Sequence, residues 1–243
     1  MIPLLIALQF LTRLPVSLPG MPTPEQIGRS LLWYPFVGLL LGLLLWGAHL
    51  LLGQAAAPLQ AAILLALWIG LSGGLHLDGL ADTADAWVGG FGDRERTLTI
   101  MKDPRSGPIA VVVLVVVLLL KFAALLTLLQ AGLGVYLLLL PWLGRSLLPV
   151  LLATTPYVRA GGLGQALVDH LPRQQLPWVL GAHLLGMLLF GWQGLLALAV
   201  SALLFVWLRR ALLQRLGGTT GDTAGALVEL GECAALLALA LSL

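Results

Sequence analysis

Seven apolar runs limit what this chain can fold into: Leu31–Leu52, Leu59–Leu75, Pro108–Gln130, Leu133–Ala153, Leu176–Gly191, Gly194–Leu208 and Ala224–Leu243. A helix needs about 20 apolar residues to cross the hydrocarbon of a bilayer, and these runs reach or approach that length. With 59% hydrophobic and 10% charged residues among 243, the composition lies far outside the globular range. The fold expected is all-α, a polytopic integral membrane helical bundle of six or seven spans forming a single membrane-embedded domain over residues 1–243. The runs on either side of Trp192 and Gln193 read as a tight helical hairpin, with one bent element as the alternative.

The apolar run Ile2–Leu11 is too short to cross and has no basic residue before it. It therefore reads as an interfacial or re-entrant helix, not a signal peptide. The single cysteine, Cys233, excludes an intramolecular disulfide and a cysteine metal site, which leaves it a packing role.

Charge sets the topology. All Lys and Arg except Lys121 and Arg145 lie in four connections, Arg13–Arg29, Asp78–Arg105, Arg159–Arg173 and Arg209–Asp222. The alternate connections Gly53–Pro58, Ala131–Gly132 and Trp192–Gln193 carry no Lys or Arg. The positive-inside rule then places the four charged connections in the cytoplasm, and a seven-span count puts the N-terminal region inside and the C-terminus outside. This predicts a multi-pass protein of a prokaryotic cytoplasmic (inner) membrane. The net charge of +2 needs no nucleic-acid partner, because basic residues facing the inner leaflet follow from topology and the lipid bilayer.

Within the second charged connection, Gly73–Trp87 reads Gly-Gly-Leu-His-Leu-Asp-Gly-Leu-Ala-Asp-Thr-Ala-Asp-Ala-Trp. At 100° per residue Asp78, Asp82 and Asp85 fall within about 60° of one another over roughly 10 Å of helix, making one acidic stripe. Three close carboxylates repel unless a cation sits among them, and a hard cation such as Mg²⁺ takes oxygen ligands of this kind. A metal-held phosphate or diphosphate is the natural guest. A solvated acidic helix end is the plainer alternative.

Other residues on the same predicted face add to this. Asp93–Lys102 mixes charges with Leu98, Ile100 and Met101, as a short interfacial helix does, and Lys102 and Arg105 precede a helix start at Pro108, a reasonable anion site. Gly217–Ala226, with Thr220, can present backbone N–H and hydroxyl groups to phosphate. Asp222 and Glu229, seven residues apart, share a helical face, and Glu232 is offset from them. An N-cap role for Asp222 and an internal ion pair for Glu229 stay open. Lys121 and Arg145 lie inside apolar runs, where they either pair with Glu229 or Glu232 or hold substrate phosphate. His76 points away from the stripe, His49 and His183 read as packed groups, and His170 as a solvated loop residue. No Walker loop, dinucleotide fingerprint, zinc spacing or nucleophile elbow is present, so the chemistry falls to acids, bases and a bound metal.

Over most of its length the chain resembles the membrane-embedded cobalamin synthases, the adenosylcobinamide-GDP ribazoletransferases. The resemblance rests on Thr12–Pro15, Tyr34–Gly38, Gly73–Trp87, Arg96 with Met101–Gly107, and Gly218–Glu232; Pro104 and Ser106 fall where the family is expected to vary. It implies a Mg²⁺-dependent transfer that joins adenosylcobinamide-GDP to α-ribazole or its 5′-phosphate and releases GMP. Asp78, Asp82 and Asp85 would be metal ligands, one of them acting as base; Asp222, also catalytic, and Glu229 would bind a second metal or orient the hydroxyl; and Arg13, Lys102, Arg105, Thr220 and Glu229 would bind substrate. Homo-oligomers, or association with other cobalamin-assembly enzymes, fit the same role. A prenyltransferase or CDP-alcohol phosphotransferase would also use Asp-rich helices, with different Asp spacing. A transporter would spread charge towards the midplane, whereas here nearly all charge gathers on one side.

Overall fold

Proline and capping residues start most of the helices. The computed structural model describes residues 1–159 and 163–243. Its helices are α1 (Ile2–Leu11), α2 (Pro24–Ser30), α3 (Tyr34–Leu52), α4 (Ala57–Ser72), α5 (Leu75–Gly89), α6 (Arg94–Ile100), α7 (Pro108–Gln130), α8 (Leu139–Thr154), α9 (Leu163–Asp169), α10 (Leu176–Leu188), α11 (Gly191–Leu216) and α12 (Gly221–Leu241). Proline occupies the first turn of α2, α3, α4, α7 and α10, where its missing N–H has no intrahelical partner to lose. Thr23 with Gln26, and Thr220 with Thr223, form capping boxes at the starts of α2 and α12. Helices are the only regular elements among the described residues; a lone parallel bridge joins Tyr157 to Thr219.

Five segments are long and apolar enough to cross a membrane: Pro24–Leu52, α7, Gly134–Thr154, α11 and α12. The expected span Leu59–Leu75 is instead half of a broken one. α4 and α5 together have the length and hydropathy of a span but are bent by 87° at Gly73 and Gly74. Both glycines have positive φ, +65° and +70°, which ends α4 in a left-handed cap and restarts the helix at once. The acidic stripe therefore belongs to the helix that follows a sharp bend, α5, not to a connecting loop. At the expected hairpin, α10 is too short to cross, and α11 runs on through Arg209, Arg210 and Arg215 to Leu216. The two helices meet closely where Gly194 lies against the Met187 carbonyl.

The ends of the bundle are fixed by polar contacts. At one end Arg209 Nε donates to Thr155 Oγ1 (3.1 Å), Arg215 Nη2 to the Trp87 carbonyl (2.8 Å), and Val158 N–H to the Thr219 carbonyl (2.9 Å). These gather the last turns of α5, α8 and α11 with the first turn of α12. At the other end His49 Nδ1 lies 3.0 Å from Gln60 Oε1 and the His49 ring covers Gly134. The most enclosed spans are α8 and α12. Against α8, Gly38 and Gly42 of α3 sit on the carbonyls of Pro141 and Leu138, where a methyl group would collide; this is close packing through small residues.

Candidate active site

Two further glycines bring the acidic helix to α12. A Cβ on Gly79 would lie 2.7 Å from the Asp222 carbonyl oxygen, and one on Gly225 would lie 3.2 Å from the His76 carbonyl oxygen. With no side chains between them, α5 and α12 pack backbone to backbone, and Asp78 and Asp222 come to line one cavity. The bend that aims α5 is held by Arg13, whose N–H donates to the Leu71 carbonyl (2.7 Å) and whose side chain covers Gly73 so closely that a Cβ there would clash.

The cavity encloses about 340 Å³. Phe10, Tyr34, Leu148, Leu152 and Leu167 form apolar walls, and Asp78, Asp222, Tyr157 and Arg159 bring polar groups. Beside it lies a second chamber of about 270 Å³, in which Arg94, Lys102 and Thr220 are gathered with Glu95, which pairs with Arg94 (2.6 Å). Arg159 and Asp222 line both. Their ion pair, Nη1 to Oδ2 at 2.9 Å, is thus a partition between an apolar chamber and a basic one.

Negative charge is in surplus here. Asp82 lies within electrostatic range of Asp78, Asp222 and Asp85, and Arg159 acts on it in the opposite sense. Burial pushes the Tyr157 phenol above its ordinary value, which keeps it a neutral hydrogen-bond donor at physiological pH.

The sequence-predicted residues divide between this site and other tasks. Asp78 and Asp222 line the apolar cavity, and Lys102 and Thr220 the basic chamber. Thr220 also caps α12, accepting from Thr223 N–H (3.2 Å). Asp85 is used elsewhere: its carboxylate accepts from Gly107 N–H and from Ala110 N–H (2.9 Å), capping the start of α7. Among the described residues no three His, Cys, Asp or Glu side chains converge as a metal site, so the three-carboxylate cluster expected from the stripe is not assembled. Arg105 is exposed and turned onto Asp103 (2.7 Å), whose carboxyl it holds at about 2. Arg13 holds the bend.

Glu229 is about 10 Å further along α12 than Asp222. It belongs to a buried network in which Lys121 Nζ bonds Glu229 Oε2 (2.6 Å) and Glu232 Oε2 (2.8 Å), Arg145 bonds Glu232 Oε1, and Lys121 lies over the Trp68 ring. Of the two readings open for Lys121 and Arg145, pairing with Glu229 and Glu232 is what the structure has. It also adds residues that spacing did not single out. Arg159 and Tyr157 reach the site through tertiary contact alone; for Arg159 the one signal is its place in a connection predicted to face the same side as the stripe, and for Tyr157 there is none. His76, set aside as pointing away from the acids, lines the cavity too.

A family model described as cobalamin-5-phosphate synthase matches residues 3–240. The chain is 86% identical over 238 residues to the adenosylcobinamide-GDP ribazoletransferase of Ectopseudomonas mendocina, covering 98% of each chain. It is 67% identical to the enzyme of that name from Pseudomonas aeruginosa strain PAO1, over 98% of this chain and 97% of that one, and 64% identical to that of Pseudomonas putida strain W619 over the full length of both. No solved structure matches.

Proposed function

The chain belongs to the cobalamin-5-phosphate synthase family, multi-pass membrane transferases of cobalamin synthesis, and we propose that its two chambers are where adenosylcobinamide-GDP is joined to α-ribazole or its 5′-phosphate. The observation that carries this placement is the Arg159–Asp222 partition, with surplus carboxylate on one side and Arg94 and Lys102 on the other. A diphosphate needs cations to hold it, and a hydroxyl nucleophile needs a base beside it.

In this reading a ribose hydroxyl of ribazole attacks the phosphorus that carries the corrinoid. A new O–P bond forms as the bond from that phosphorus to the GMP oxygen breaks, and GMP leaves. The hydroxyl proton passes to a carboxylate of Asp78 or Asp222, the two acids that line the cavity. Lys102, Arg94 and Arg159 hold the phosphates, and Tyr157 donates a hydrogen bond near them. Phosphoryl transfer of this kind depends mainly on such positioning and charge.

Mg²⁺ fits the oxygen donors present. It is typically held by one or two carboxylates together with substrate phosphates, not by an all-protein cage, so a site without three convergent acids is compatible with it. Asp78 and Asp82 would hold it, and when bound it would neutralise diphosphate charge. The charged end, with its excess of Lys and Arg, faces the cytoplasm of the inner membrane in this proposal, where nucleotide-activated substrate is available.

The test is purified protein in detergent or lipid, supplied with both substrates, with and without Mg²⁺. GMP and the joined corrinoid should appear together and only with the metal. Absence of both products under every metal condition would overturn the reading, and metal-independent turnover would remove Mg²⁺ from it.

A further inference from the structure

One wall of the apolar cavity is a histidine held from behind, His76. His76 is buried, 3% exposed, and its Nδ1 lies 3.4 Å from Arg145 Nη2. A guanidinium can only donate, so Nδ1 must accept and the imidazole proton sits on Nε2. Arg145 is itself held by Glu232, which Lys121 also bonds. The buried network therefore fixes a histidine tautomer at the wall of the cavity, and Nε2–H has no partner among the described residues. Tyr34 lines the same cavity, its ring stacked on Phe10 at 6.2 Å, and its buried hydroxyl is likewise unpartnered among those residues.

We infer that this cavity is the subsite for the aromatic base of α-ribazole, received between apolar walls with His76 Nε2–H donating to the free ring nitrogen of the base. The inference rests on the proposed function and deepens it. A volume of about 340 Å³ lies near the lower end of small-molecule pockets, which run from roughly 300 to 1,000 Å³, and suits a nucleoside, not a corrin ring with its side chains. The base of α-ribazole is a flat bicycle with two methyl groups and one free acceptor nitrogen. It matches walls of Phe10, Tyr34, Leu148 and Leu152 with the His76 donor among them. Guanine, the other base in the reaction, carries several donors and acceptors that these walls would leave unpaired, at a cost for each. Asp78 and Asp222 line the same cavity, so a nucleoside seated base-first towards His76 presents its ribose hydroxyls to the carboxylates.

The test separates the two Michaelis constants. His76→Phe removes the donor and should raise KM for α-ribazole about tenfold, the size of one hydrogen bond, with KM for adenosylcobinamide-GDP unchanged. His76→Gln, which keeps a side-chain N–H, should recover part of that loss. Leu148→Trp fills the cavity without touching the network and should produce the same selective rise. Free 5,6-dimethylbenzimidazole should compete with α-ribazole on the wild type and lose that competition on Leu148→Trp. If instead the KM for adenosylcobinamide-GDP rises, or guanosine is the better competitor, the cavity belongs to the nucleotide and the assignment is wrong. An unchanged KM for α-ribazole in both His76→Phe and Leu148→Trp overturns it too. Wild-type protein that forms no product would sink the proposed function instead, so the two failures are distinguishable.

Discussion

Two groups of ionised side chains stand on α12 only seven residues apart, and they differ in almost every physical respect. Around Glu229 and Glu232 two carboxylates meet two cations, Lys121 and Arg145, and all four side chains are at most 6% exposed. On the apolar-cavity side of Asp222 the carboxylates Asp78 and Asp222 outnumber the lining cation Arg159, and the Arg159–Asp222 pair is open, at 37% and 17% exposure, between two chambers. A closed, balanced group has spent its interactions internally. An open group with excess charge of one sign has capacity left for a ligand, and that difference separates structural charge from catalytic charge better than residue type or spacing does.

Removing one member of the buried group should have the largest effect. Lys121→Met leaves Glu229 buried without a cation and Glu232 with Arg145 alone, and breaking a buried pair in this way costs about 3–5 kcal/mol. The yield of monodisperse protein in detergent and its thermal unfolding midpoint should both fall. The double variant Lys121→Met with Glu229→Leu removes one charge of each sign and should recover much of the loss, since apolar replacement of an ion pair is often nearly neutral. If Lys121→Met unfolds at the wild-type temperature, the network is not structural and the comparison collapses.

At the open group the expected pattern reverses. Asp222→Asn should lower GMP release by about 10²- to 10⁴-fold, the range for loss of a general base, while a partly exposed ion pair contributes only about 0–1 kcal/mol to stability. Measuring unfolding and turnover on the same preparation sharpens the contrast: Lys121→Met should fail mainly on the first, Asp222→Asn on the second. An Asp222→Asn protein that turns over normally would move the chemistry away from the partition.

Much of this was legible in the sequence because it is periodic or local. The apolar runs locate α3, α7, α8 and α12, and the spacing of Asp78 and Asp82 marks the acidic face. What was not legible depends on approach between distant segments. Gly73 and Gly74 lie inside an apolar run, and nothing local says that both take positive φ and break the span there. Gly79 matters only because Gly225 comes to face it. Glu229 shares a helical face with Asp222, yet helical rise carries it about 10 Å deeper, to a lysine 108 residues away in sequence. Arg159 belongs to no motif and acquires its place by meeting Asp222.

Asp85 is the case in which periodicity and tertiary structure disagree, and it gives the smallest of these effects. By spacing it is the third acid of the stripe. By contact its two oxygens are taken up by the N–H groups of Gly107 and Ala110, donors that the first turn of α7 cannot satisfy within the helix. Asp85→Asn keeps one acceptor oxygen and loses the charge facing the helix N-terminus. It should cost about 0.5–2 kcal/mol of stability, as the loss of a cap does, with turnover per folded molecule and metal dependence close to wild type. The informative pair is Asp85→Asn beside Asp78→Asn, assayed for GMP release across a Mg²⁺ titration. A shift in metal dependence in the Asp78 variant alone would divide the stripe into one acid that works on substrate and one that holds the helix beside it. Equal shifts in both would mean that Asp85 leaves its cap when metal and diphosphate bind, and that the three acids act as one set.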